Sequence, residues 1–506
     1  MRSPHLAPLF GALTACTGAP SAVRVELAPS VVSSIDGTTT VTALVSDGVT
    51  PLPDEPVHVT LTYRDRAGAT HDLAPVDGTT DDRGVFATVI TGLRWDGDGA
   101  VMVDASGAMG TATFAVLDRT PAAVEILPPT TDLRVGPGLP LAVQVHATDD
   151  TGISQIFFES SGDTIGRRAT VVASGTSDAT ATFRIAIPTD ATPGPSITLY
   201  AMAEDLASNR AAAAPVVLTV DPAITIATPP GLVGTLVTTG TATQLADPRA
   251  LAVSPHDGAI YVADVADGAC GGTCIWRVDP ATGAVGATPV VQGQGEIEGV
   301  AFDAPGDNLY FTDRQRRTGR LTWNGSAYQG PATTCNNVNA NTPQDPYHVV
   351  FDATEGLLVV DGNAGEVARI ATCAAATSGT TLSNNANLDR GRGIALGPNG
   401  ELFVSDSGRD EIRAVDRATG AVTTYAQGLN GPYGVEWLGG TSAWANGLVV
   451  ANAQDRTVVV TTGDGGDPVA YLRNTPIDVA LAGGTLYILT SPSATNRGRI
   501  YQVTGF

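Results

Sequence analysis

Seven side chains that could bind a ligand stand at equivalent places in the C-terminal part of the sequence. They are Arg249, Glu298, Tyr347, His348, Arg392, Tyr433 and Asp478. Each lies one or two positions before an apolar residue of a repeated hydrophobic piece. An arginine can receive a carboxylate or a phosphate through two parallel hydrogen bonds, and a tyrosine offers a flat ring with a polar tip. If the fold brings these side chains together, they form a ligand-binding site.

Three of the seven residues could also hold a metal ion. Glu298, His348 and Asp478 offer carboxylate and imidazole ligands for one divalent cation, on condition that their side chains converge. A second interpretation is that Arg249 and Arg392 pair with Glu298 and Asp478, so that the charges only satisfy one another. The sequence indicates no firm cofactor; calcium or another divalent metal is the one candidate.

The elements that must position these residues form an internal repeat. Six pieces, from "DPRALAV" to "TPIDVAL", place equivalent apolar residues at intervals of 41 to 49 residues. These residues are Leu251, Val300, Val349, Ile394, Val435 and Val479. A turn and a second strand pattern follow each piece, and a third strand follows most of them. A repeat of about 40 to 50 residues with about four strands is one blade of a β-propeller. We therefore predict a six-bladed propeller over residues 232–506, closed by the strand 232–240, which covers the open edge of the last blade.

An acid or an amide ends the second strand of five repeats. These residues are Asp264, Asp313, Asp361, Asp406 and Asn452. Catalysis needs one or two such groups, whereas every blade needs its turns fixed, and Asp and Asn side chains accept backbone N–H bonds in turns. We predict a structural role for all five, and also for Asp416 in a later turn.

The stretch "GRGIALGPNGELFVSDSGRDEIRAVDRATG" is the most complete copy of the repeat. It resembles the unit of the NHL family, which runs roughly "P.GVAVD..G.IYVAD....RI...D..G", and the resemblance covers residues 232–506. Gluconolactonase-type lactonases share such a propeller and hold a divalent metal at the channel through Glu, Asn and Asp. Their Asn lies in a "PNG" before the inner strand, whereas Pro398–Gly400 follows that strand here. The resemblance implies the fold and leaves the activity open.

Two patterns of short strands precede the repeat. Residues 22–118 and 119–222 alternate apolar and polar residues in short runs, which predicts two β-sandwiches. The first resembles the immunoglobulin-like repeats of invasin and intimin, in the runs Val25–Ser30, Asp36–Asp47, Glu55–Leu61 and Thr80–Val89. The second resembles another bacterial immunoglobulin-like pattern, through "ATDDTGI" and "AEDLASN". A Pro-rich linker is predicted over 221–230. The predicted fold class is all-β, with two immunoglobulin-like β-sandwiches followed by a six-bladed β-propeller.

Four side chains of the second sandwich form a further candidate metal site. Asp149, Asp150, Asp205 and Asn209 could meet at one end of the sandwich. Carboxylates and amide carbonyls are suitable ligands for Ca²⁺. The alternative is that each of these residues caps its own turn.

The N-terminus has the form of an export signal. "MRSPHLAPLFGALTACTGAP" combines a basic residue, a short apolar run and small residues before Cys16. The run Leu13–Cys16 resembles a bacterial lipobox, which implies that residues 1–16 are a signal peptide with a lipobox and that Cys16 is lipidated. The non-acidic Thr17 then implies the outer membrane; an ordinary cleaved signal is the alternative. No run of 18 apolar residues exists, so we expect membrane contact through a lipid anchor only.

The remaining cysteines fit an exported chain. Four cysteines follow Cys16, and an even number suggests disulfides. Cys270 and Cys274 are predicted to pair because "CGGTC" can close a tight loop. Cys335 and Cys373 then pair by elimination. A zinc site is the weaker alternative, since no histidine lies near either pair.

The charge of the chain excludes one class of partner. A net charge of −23 argues against nucleic acid, whose recognition needs a basic surface.

We expect a monomeric protein of the cell envelope or the exterior whose propeller face binds a protein or a glycan, because rigid scaffolds with variable loops build binding sites. The alternatives are a metal-dependent lactonase or related hydrolase, and a purely structural envelope protein.

Overall fold

A computed structural model gives the fold of most of the chain. It describes residues 19–34, 37–65, 68–94, 96–128, 133–166, 168–229, 231–239, 244–265, 272–336, 343–362, 364–371, 373–374, 378–383, 388–439, 444, 446–492 and 497–506. These ranges contain 42 β-strands and no α-helix, and hence no helix able to cross a membrane. The strands build two sandwiches followed by a six-bladed propeller, so the predicted all-β architecture is confirmed.

The first sandwich packs a three-stranded sheet on a five-stranded sheet. Its strands are β1 (Ala22–Ala28), β2 (Val31–Ser33), β3 (Thr38–Ser46), β4 (Pro56–Asp65), β5 (Thr70–Thr79), β6 (Val85–Thr91), β7 (Gly97–Ala105) and β8 (Ala108–Leu117). The sheets have the orders β1-β3-β6 and β2-β8-β7-β4-β5. Alternate residues point inward, as Val41, Ala43 and Val45 do on β3, and together they form the apolar core.

The second sandwich repeats this plan with different connections. Its strands are β9 (Ala123–Leu127), β10 (Arg134–Val135), β11 (Pro140–Thr148), β12 (Ile153–Gly162), β13 (Arg168–Val172), β14 (Asp178–Ala186), β15 (Gly194–Asp205), β16 (Arg210–Ala212) and β17 (Val216–Val220). The sheets are β14-β11-β9 and β10-β17-β15-β12-β13, with β16 paired to β15. Phe158 and Phe183 stack across the core at 4.9 Å between ring centroids.

The propeller consists of six antiparallel sheets. One short strand, β18 (Ile226–Ala227), precedes it, and β19 (Val233–Thr239) is its first strand. Blades one to three contain β20 (Pro248–Val253), β21 (Ile260–Asp264), β22 (Thr273–Val278), β23 (Val291–Gln294), β24 (Ile297–Phe302), β25 (Asn308–Asp313), β26 (Arg317–Trp323), β27 (Tyr328–Thr334), β28 (Pro346–Asp352), β29 (Gly356–Asp361), β30 (Glu366–Ile370) and β31 (Thr380–Thr381). Blades four to six contain β32 (Gly391–Leu396), β33 (Leu402–Asp406), β34 (Glu411–Val415), β35 (Val422–Ala426), β36 (Pro432–Leu438), β37 (Gly447–Asn452), β38 (Thr457–Thr461), β39 (Asp467–Leu472), β40 (Pro476–Ala482), β41 (Thr485–Thr490) and β42 (Arg499–Thr504).

The ring of blades closes on itself. The inner strands β20, β24, β28, β32, β36 and β40 each contact the next one, and β40 contacts β20. The last blade takes its outer strand from the start of the propeller, because β19 pairs antiparallel with β42 from Val233↔Thr504 to Thr239↔Arg499. This pairing supplies hydrogen-bond partners to the otherwise open edge of β42. Six inner strands therefore surround one central channel.

The segment between the second sandwich and the propeller is docked on the fifth blade. β18 pairs with β39, the outer strand of that blade. The carbonyl of Thr225 accepts the backbone N–H of Arg473 at 3.2 Å, and Arg184 of the second sandwich donates to the Tyr471 hydroxyl at 2.6 Å. The predicted linker is therefore partly a sheet strand, because its Ile226 side chain finds an apolar place in the blade core.

One predicted disulfide is present in the described part of the chain. Cys335 and Cys373 are bonded, which confirms their pairing. The bond joins the chain after β27 in blade two to the chain after β30 in blade three. The other predicted pair includes Cys270, which lies outside the described residues. The predicted signal segment 1–16, with its Cys16, also lies outside them.

Candidate functional site

Every inner strand of the propeller carries a register shift near its start. The shifts lie between Pro248 and Ala250, Ile297 and Gly299, Pro346 and Val349, Gly391 and Ile394, Pro432 and Val435, and Pro476 and Asp478. Such irregularities re-aim a side chain out of the regular alternation. The residues inside them are the ones that differ from blade to blade. The shifts therefore present seven side chains, leaving out two glycines, at one end of the channel, here called the channel mouth.

The channel mouth contains a cavity of about 270 Å³. Its lining residues are Asp247, Pro248, Arg249, Glu298, Arg314, Tyr347, His348, Arg392, Tyr433, Gly434, Ile477 and Ser491. The structure thus brings together six of the seven predicted side chains. The seventh, Asp478, does not line the cavity and is almost fully buried. The residue types are polar, charged and aromatic, which is the composition of a ligand site.

Glu298 stands between two arginines of the cavity. Its carboxylate lies 4.0 Å from Arg249 and 3.9 Å from Arg314. Burial raises the pKa of Glu298 to about 6, although the surrounding arginines act in the opposite direction. Both arginines have other carboxylates at shorter distance, since Arg249 meets Asp247 at 2.7 Å and Arg314 meets Asp345 at 3.0 Å. The predicted pairing of Arg249 with Glu298 is therefore a weak contact.

Arg392 differs from the other two arginines of the cavity. Within the described residues no carboxylate pairs with it, and its Nε is buried without a hydrogen-bond partner. The guanidinium carbon lies 4.1 Å from the ring centroid of Tyr347 and 5.4 Å from that of Tyr433. Stacking on tyrosine rings holds the guanidinium in place and leaves its N–H groups available. The alternative pairing of Arg392 with an acid does not occur in this part of the chain.

Hydrogen bonds between blades hold the two tyrosines. The Thr312 hydroxyl donates to the backbone carbonyl of Tyr347 at 2.8 Å. The Ser405 hydroxyl likewise donates to the carbonyl of Tyr433. Both donors come from the second strand of the preceding blade. The backbone of each tyrosine is therefore fixed by a neighbouring blade, which orients the rings that support Arg392.

His348 lines the cavity and contacts the buried Asp478, which does not line it. They come from blades three and six, on opposite sides of the ring, and His348 Nε2 lies 3.3 Å from Asp478 Oδ2. Burial acts to lower the pKa of His348, but the charge and hydrogen bond of Asp478, together with the charge of Glu436, outweigh it and the pKa is raised. Burial and the charge of Asp478 together raise the pKa of nearby Glu436 to about 7. Asp478 also accepts the backbone N–H of Leu251 at 2.8 Å.

The predicted metal set at the channel is not assembled. A metal site needs ligand atoms that lie close to one another. Among the described residues, Glu298, His348 and Asp478 do not form a group whose ligand atoms lie within 4.8 Å of each other. Glu298 lies between two arginines of the cavity, whereas His348 and Asp478 contact each other. Within the described residues, these three side chains therefore do not form one group of metal ligands.

Arg314 is a cavity residue that the repeat pattern does not reveal. It follows the strand-end residue Asp313, outside the aligned inner-strand positions. Its Nε donates to Asp345, whose own backbone N–H donates to Asp361 at 3.2 Å. Its guanidinium carbon lies 5.4 Å from the Tyr347 ring centroid. Only the turn geometry of blade two brings this side chain to the mouth, and no sequence signal marks it.

The recurring strand-end residues have the structural role predicted for them. Asp264 accepts the N–H groups of Ala246 and Asp247 at 3.1 and 2.8 Å. Asp406 accepts the N–H of Asp389 at 2.9 Å, and Asn452 accepts that of Asn430 at 2.6 Å. Each of these bonds fixes the loop that enters the inner strand of the same blade. They therefore support the channel mouth without lining it, and the exposed Asp416 likewise accepts N–H bonds of its own turn.

The acidic residues of the second sandwich are arranged differently from the prediction. Asp149 and Asp205 converge with Asp118, a residue at the end of the first sandwich. Asp150 is exposed and stays outside this group. Asn209 donates through Nδ2 to Asp205 at 2.9 Å, so it acts as a hydrogen-bond donor to the group. The sequence pattern missed Asp118 because it lies in neither of the two motifs.

The comparisons with known proteins show likenesses of structure only. No protein-family model and no curated protein sequence matches this chain. It is similar in structure to a protein provisionally described as a gluconolactonase, with a TM-score of 0.41 and 16% identity over 55% of this chain and 93% of the other. It is also similar to virginiamycin B lyase from Staphylococcus aureus, with a TM-score of 0.37 and 14% identity over 54% of this chain and 98% of the other. A third similar structure is an auxiliary nutrient binding protein from Bacteroides thetaiotaomicron, with a TM-score of 0.39 and 15% identity over 76% of this chain and 98% of the other.

Proposed function

We propose that this chain is a binding protein of the cell envelope whose channel mouth holds an anionic group of a protein or a glycan. Arg392 is the observation that carries the proposal. Its guanidinium is oriented by two tyrosine rings and its Nε is buried without a partner. No carboxylate pairs with this guanidinium within the described residues, so its Nη groups can bind a carboxylate or phosphate through parallel hydrogen bonds.

The size of the cavity limits the ligand. A volume of about 270 Å³ lies just below the range of about 300 to 1,000 Å³ that is typical of small-molecule sites. We infer that the mouth takes one charged end group, such as a single acidic sugar ring or a terminal carboxylate, and that the rest of the ligand lies on the outer loops.

The other parts of the chain fit a tethered binding protein. We propose that export through the segment 1–16 and lipidation of Cys16 attach the chain to the outer membrane. The two sandwiches, read as immunoglobulin-like, would then act as a stalk. The β18–β39 pairing supports this role, because it attaches the second sandwich directly to the propeller.

The metal-dependent lactonase interpretation has weaker support from the mouth. Its predicted ligands do not converge, and Pro398–Gly400 lies in a turn after the inner strand β32. The residues present thus do not fit the metal site that the family resemblance implies. A purely structural role is the remaining alternative, and the binding experiment separates it from the proposed one.

The purified full chain, immobilised and probed with a panel of ligands, tests the proposal. The panel pairs uronic-acid oligosaccharides with their carboxyl-reduced forms, and peptides ending in a free carboxylate with their amidated forms. We expect binding to an anionic member and not to its neutral counterpart. Arg392→Gln should weaken this binding about 10- to 100-fold, the effect of losing one charged hydrogen bond of about 1.5 to 3 kcal/mol.

Arg316, in the turn between β25 and β26 of blade two, offers a matched control. Arg316 is exposed and does not line the cavity, so Arg316→Gln removes one positive charge from the same face without touching the site. It should leave binding unchanged. Absence of binding to every member of the panel would favour the structural alternative, and equal loss in both variants would indicate a general charge effect.

A further inference from the structure

Three buried aspartates meet where the two sandwiches join. Asp118 follows β8 of the first sandwich, Asp149 follows β11, and Asp205 ends β15. One carboxylate oxygen of each lies within 4.8 Å of those of the other two. All three residues are more than nine-tenths buried. The group lies far along the chain from the propeller and takes no part in the site proposed above.

The hydrogen bonds within this group leave one buried oxygen unsatisfied. Asp149 Oδ1 accepts the N–H of Thr151 at 2.8 Å and that of Gly152 at 3.2 Å. Asp149 Oδ2 is buried and has no hydrogen-bond partner. A buried carboxylate oxygen in this state loses its hydration without compensation. The missing partner has to be a donor or a cation.

The hydroxyl of Thr151 cannot satisfy the whole group. Its Oγ1 lies 2.6 Å from Asp149 Oδ1 and 3.0 Å from Asp118 Oδ2. A hydroxyl carries one proton, so it donates to only one of these two carboxylates at a time. The other carboxylate then faces the hydroxyl oxygen, which is itself an acceptor. The hydroxyl therefore brings no donor to Asp149 Oδ2, which stays without a partner.

The group also lacks a compensating positive charge. Within the described residues, no arginine or histidine forms an ion pair with Asp118, Asp149 or Asp205. The donors around them are hydroxyl, amide and backbone N–H groups. Three carboxylates in one buried place repel each other unless a cation joins them.

We propose that Asp118, Asp149 and Asp205 bind a Ca²⁺ ion that links the first sandwich to the second. The ligands are all oxygens, which favours a hard cation over zinc or copper. Three carboxylates suit Ca²⁺ better than Mg²⁺, because Mg²⁺ keeps several waters and uses one or two carboxylates. The unsatisfied Asp149 Oδ2 is the atom that points to a missing cation.

Asp118 is placed to transmit the effect of the ion between the sandwiches. The Ser34 hydroxyl of the first sandwich donates to its Oδ1 at 2.9 Å. On the other side, Asn209 of the second sandwich donates to its backbone carbonyl at 3.2 Å. An ion bound to Asp118, Asp149 and Asp205 would therefore fix the junction of the two sandwiches. The site would stiffen the stalk at its first joint.

Thermal unfolding of the full chain with and without Ca²⁺ tests the proposal. After treatment with a chelator, added CaCl₂ should raise the unfolding temperature of the sandwiches. At a Ca²⁺ concentration a hundred times the dissociation constant, we expect a rise of about 5 to 10 °C. Isothermal titration should give one site per chain that Mg²⁺ fills more weakly. Absence of any Ca²⁺-dependent shift would overturn the proposal, and a larger shift with Mg²⁺ would overturn the choice of ion.

Two variants and one control connect the effect to this site. Asp149→Asn and Asp205→Asn remove a ligand and also a buried negative charge, so the calcium-free variants should be at least as stable as the calcium-free wild type. The Ca²⁺-dependent shift should disappear in both. Asp190→Asn removes one exposed charge of the same sandwich and should keep the full shift. A Ca²⁺-dependent shift that survives in Asp149→Asn would show that the ion binds elsewhere. Binding to the anionic panel should be unchanged in all three variants.

Discussion

Glu298 is the titratable residue that should control binding at the channel mouth. Its carboxylate lies in the same cavity as Arg392, so its negative charge repels an anionic ligand bound there. Because burial raises its pKa to about 6, lowering the pH from 8 to 5 (an assay range) protonates it and removes one negative charge from the cavity. The affinity for a carboxylate ligand should therefore rise as the pH falls through about 6.

Titration of a carboxylate ligand across this pH range checks the prediction. Glu298→Gln should bind more tightly at pH 7 and should lose most of the pH dependence. His348 and Glu436 lie beneath the mouth and also titrate, so the pH dependence that remains in this variant measures their share. An affinity that falls on acidification in the wild type would contradict the role given to Glu298.

Asp406 should matter for stability more than for binding. It is fully buried, and its carboxylate accepts the N–H of Asp389 and a guanidinium N–H of Arg409, both at 2.9 Å. In Asp406→Ala the N–H of Asp389 loses its partner, so we expect the propeller to lose about 2 kcal/mol of unfolding free energy. Urea denaturation measures this change. Unchanged stability together with loss of ligand binding would show instead that Asp406 acts in the site.

The positions of most mouth residues could be predicted because the repeat has a fixed phase. Once the apolar residues were aligned, the preceding positions of all six blades had to lie at the same end of the channel. Arg314 escaped this reasoning because it lies in a turn, where the blades do not align. Asp118 escaped it because a strand pattern does not indicate which end of one sandwich meets the next. Both residues depend on tertiary geometry that no local pattern records.

At the scale of elements, the disulfide should stabilise the join between blades two and three. Cys335 and Cys373 are 38 residues apart in sequence. Closing a loop of this length restricts the unfolded chain, and the chain-entropy estimate is at most about 4 kcal/mol. Replacing both cysteines by alanine should therefore lower the unfolding free energy of the propeller by about 2 to 4 kcal/mol.

Denaturation followed by tryptophan fluorescence checks this expectation. Wild type treated with a reducing agent should lose at least as much stability as the double variant, because reduction also breaks the predicted Cys270–Cys274 bond. A double variant as stable as the oxidised wild type would mean that the packing of the two blades alone holds the join.

A strand could be predicted from the sequence where its apolar residues are periodic and where it pairs with another strand of the propeller repeat. The inner strands and the closing strand β19 meet this condition. The register shifts at the mouth did not show in the sequence, because the apolar alternation continues on both sides of each shift. β18 was also missed, since two residues in a Pro-rich segment carry no period and pair only because the edge of β39 is near.

At the scale of the whole molecule, the second sandwich and the propeller should move as one body. β18 is the strand that joins them, and Arg473 Nη1 adds a hydrogen bond to the carbonyl of Pro222 at 3.2 Å. Hydrogen exchange measured by mass spectrometry should show slow exchange in a peptide covering 224–229. The peptide covering β39 serves as the internal reference. Full exchange of 224–229 at the first time point would show a flexible joint instead.

The binding of a single acidic sugar tests the central claim about the molecule most directly. The measurement is isothermal titration of the full chain with a hexuronate and, separately, with its methyl ester, in wild type, Arg392→Gln and Arg316→Gln. We predict that the hexuronate binds wild type and Arg316→Gln with the same affinity and that the ester does not bind. Arg392→Gln should bind the hexuronate at least about ten-fold more weakly, as expected for the loss of one charged hydrogen bond of about 1.5 kcal/mol or more. No binding of either compound would exclude the acidic sugar and leave the terminal carboxylate of a peptide as the proposed end group. Equal binding of acid and ester, or binding of the acid unaffected by Arg392→Gln, would contradict an anion site at the channel mouth.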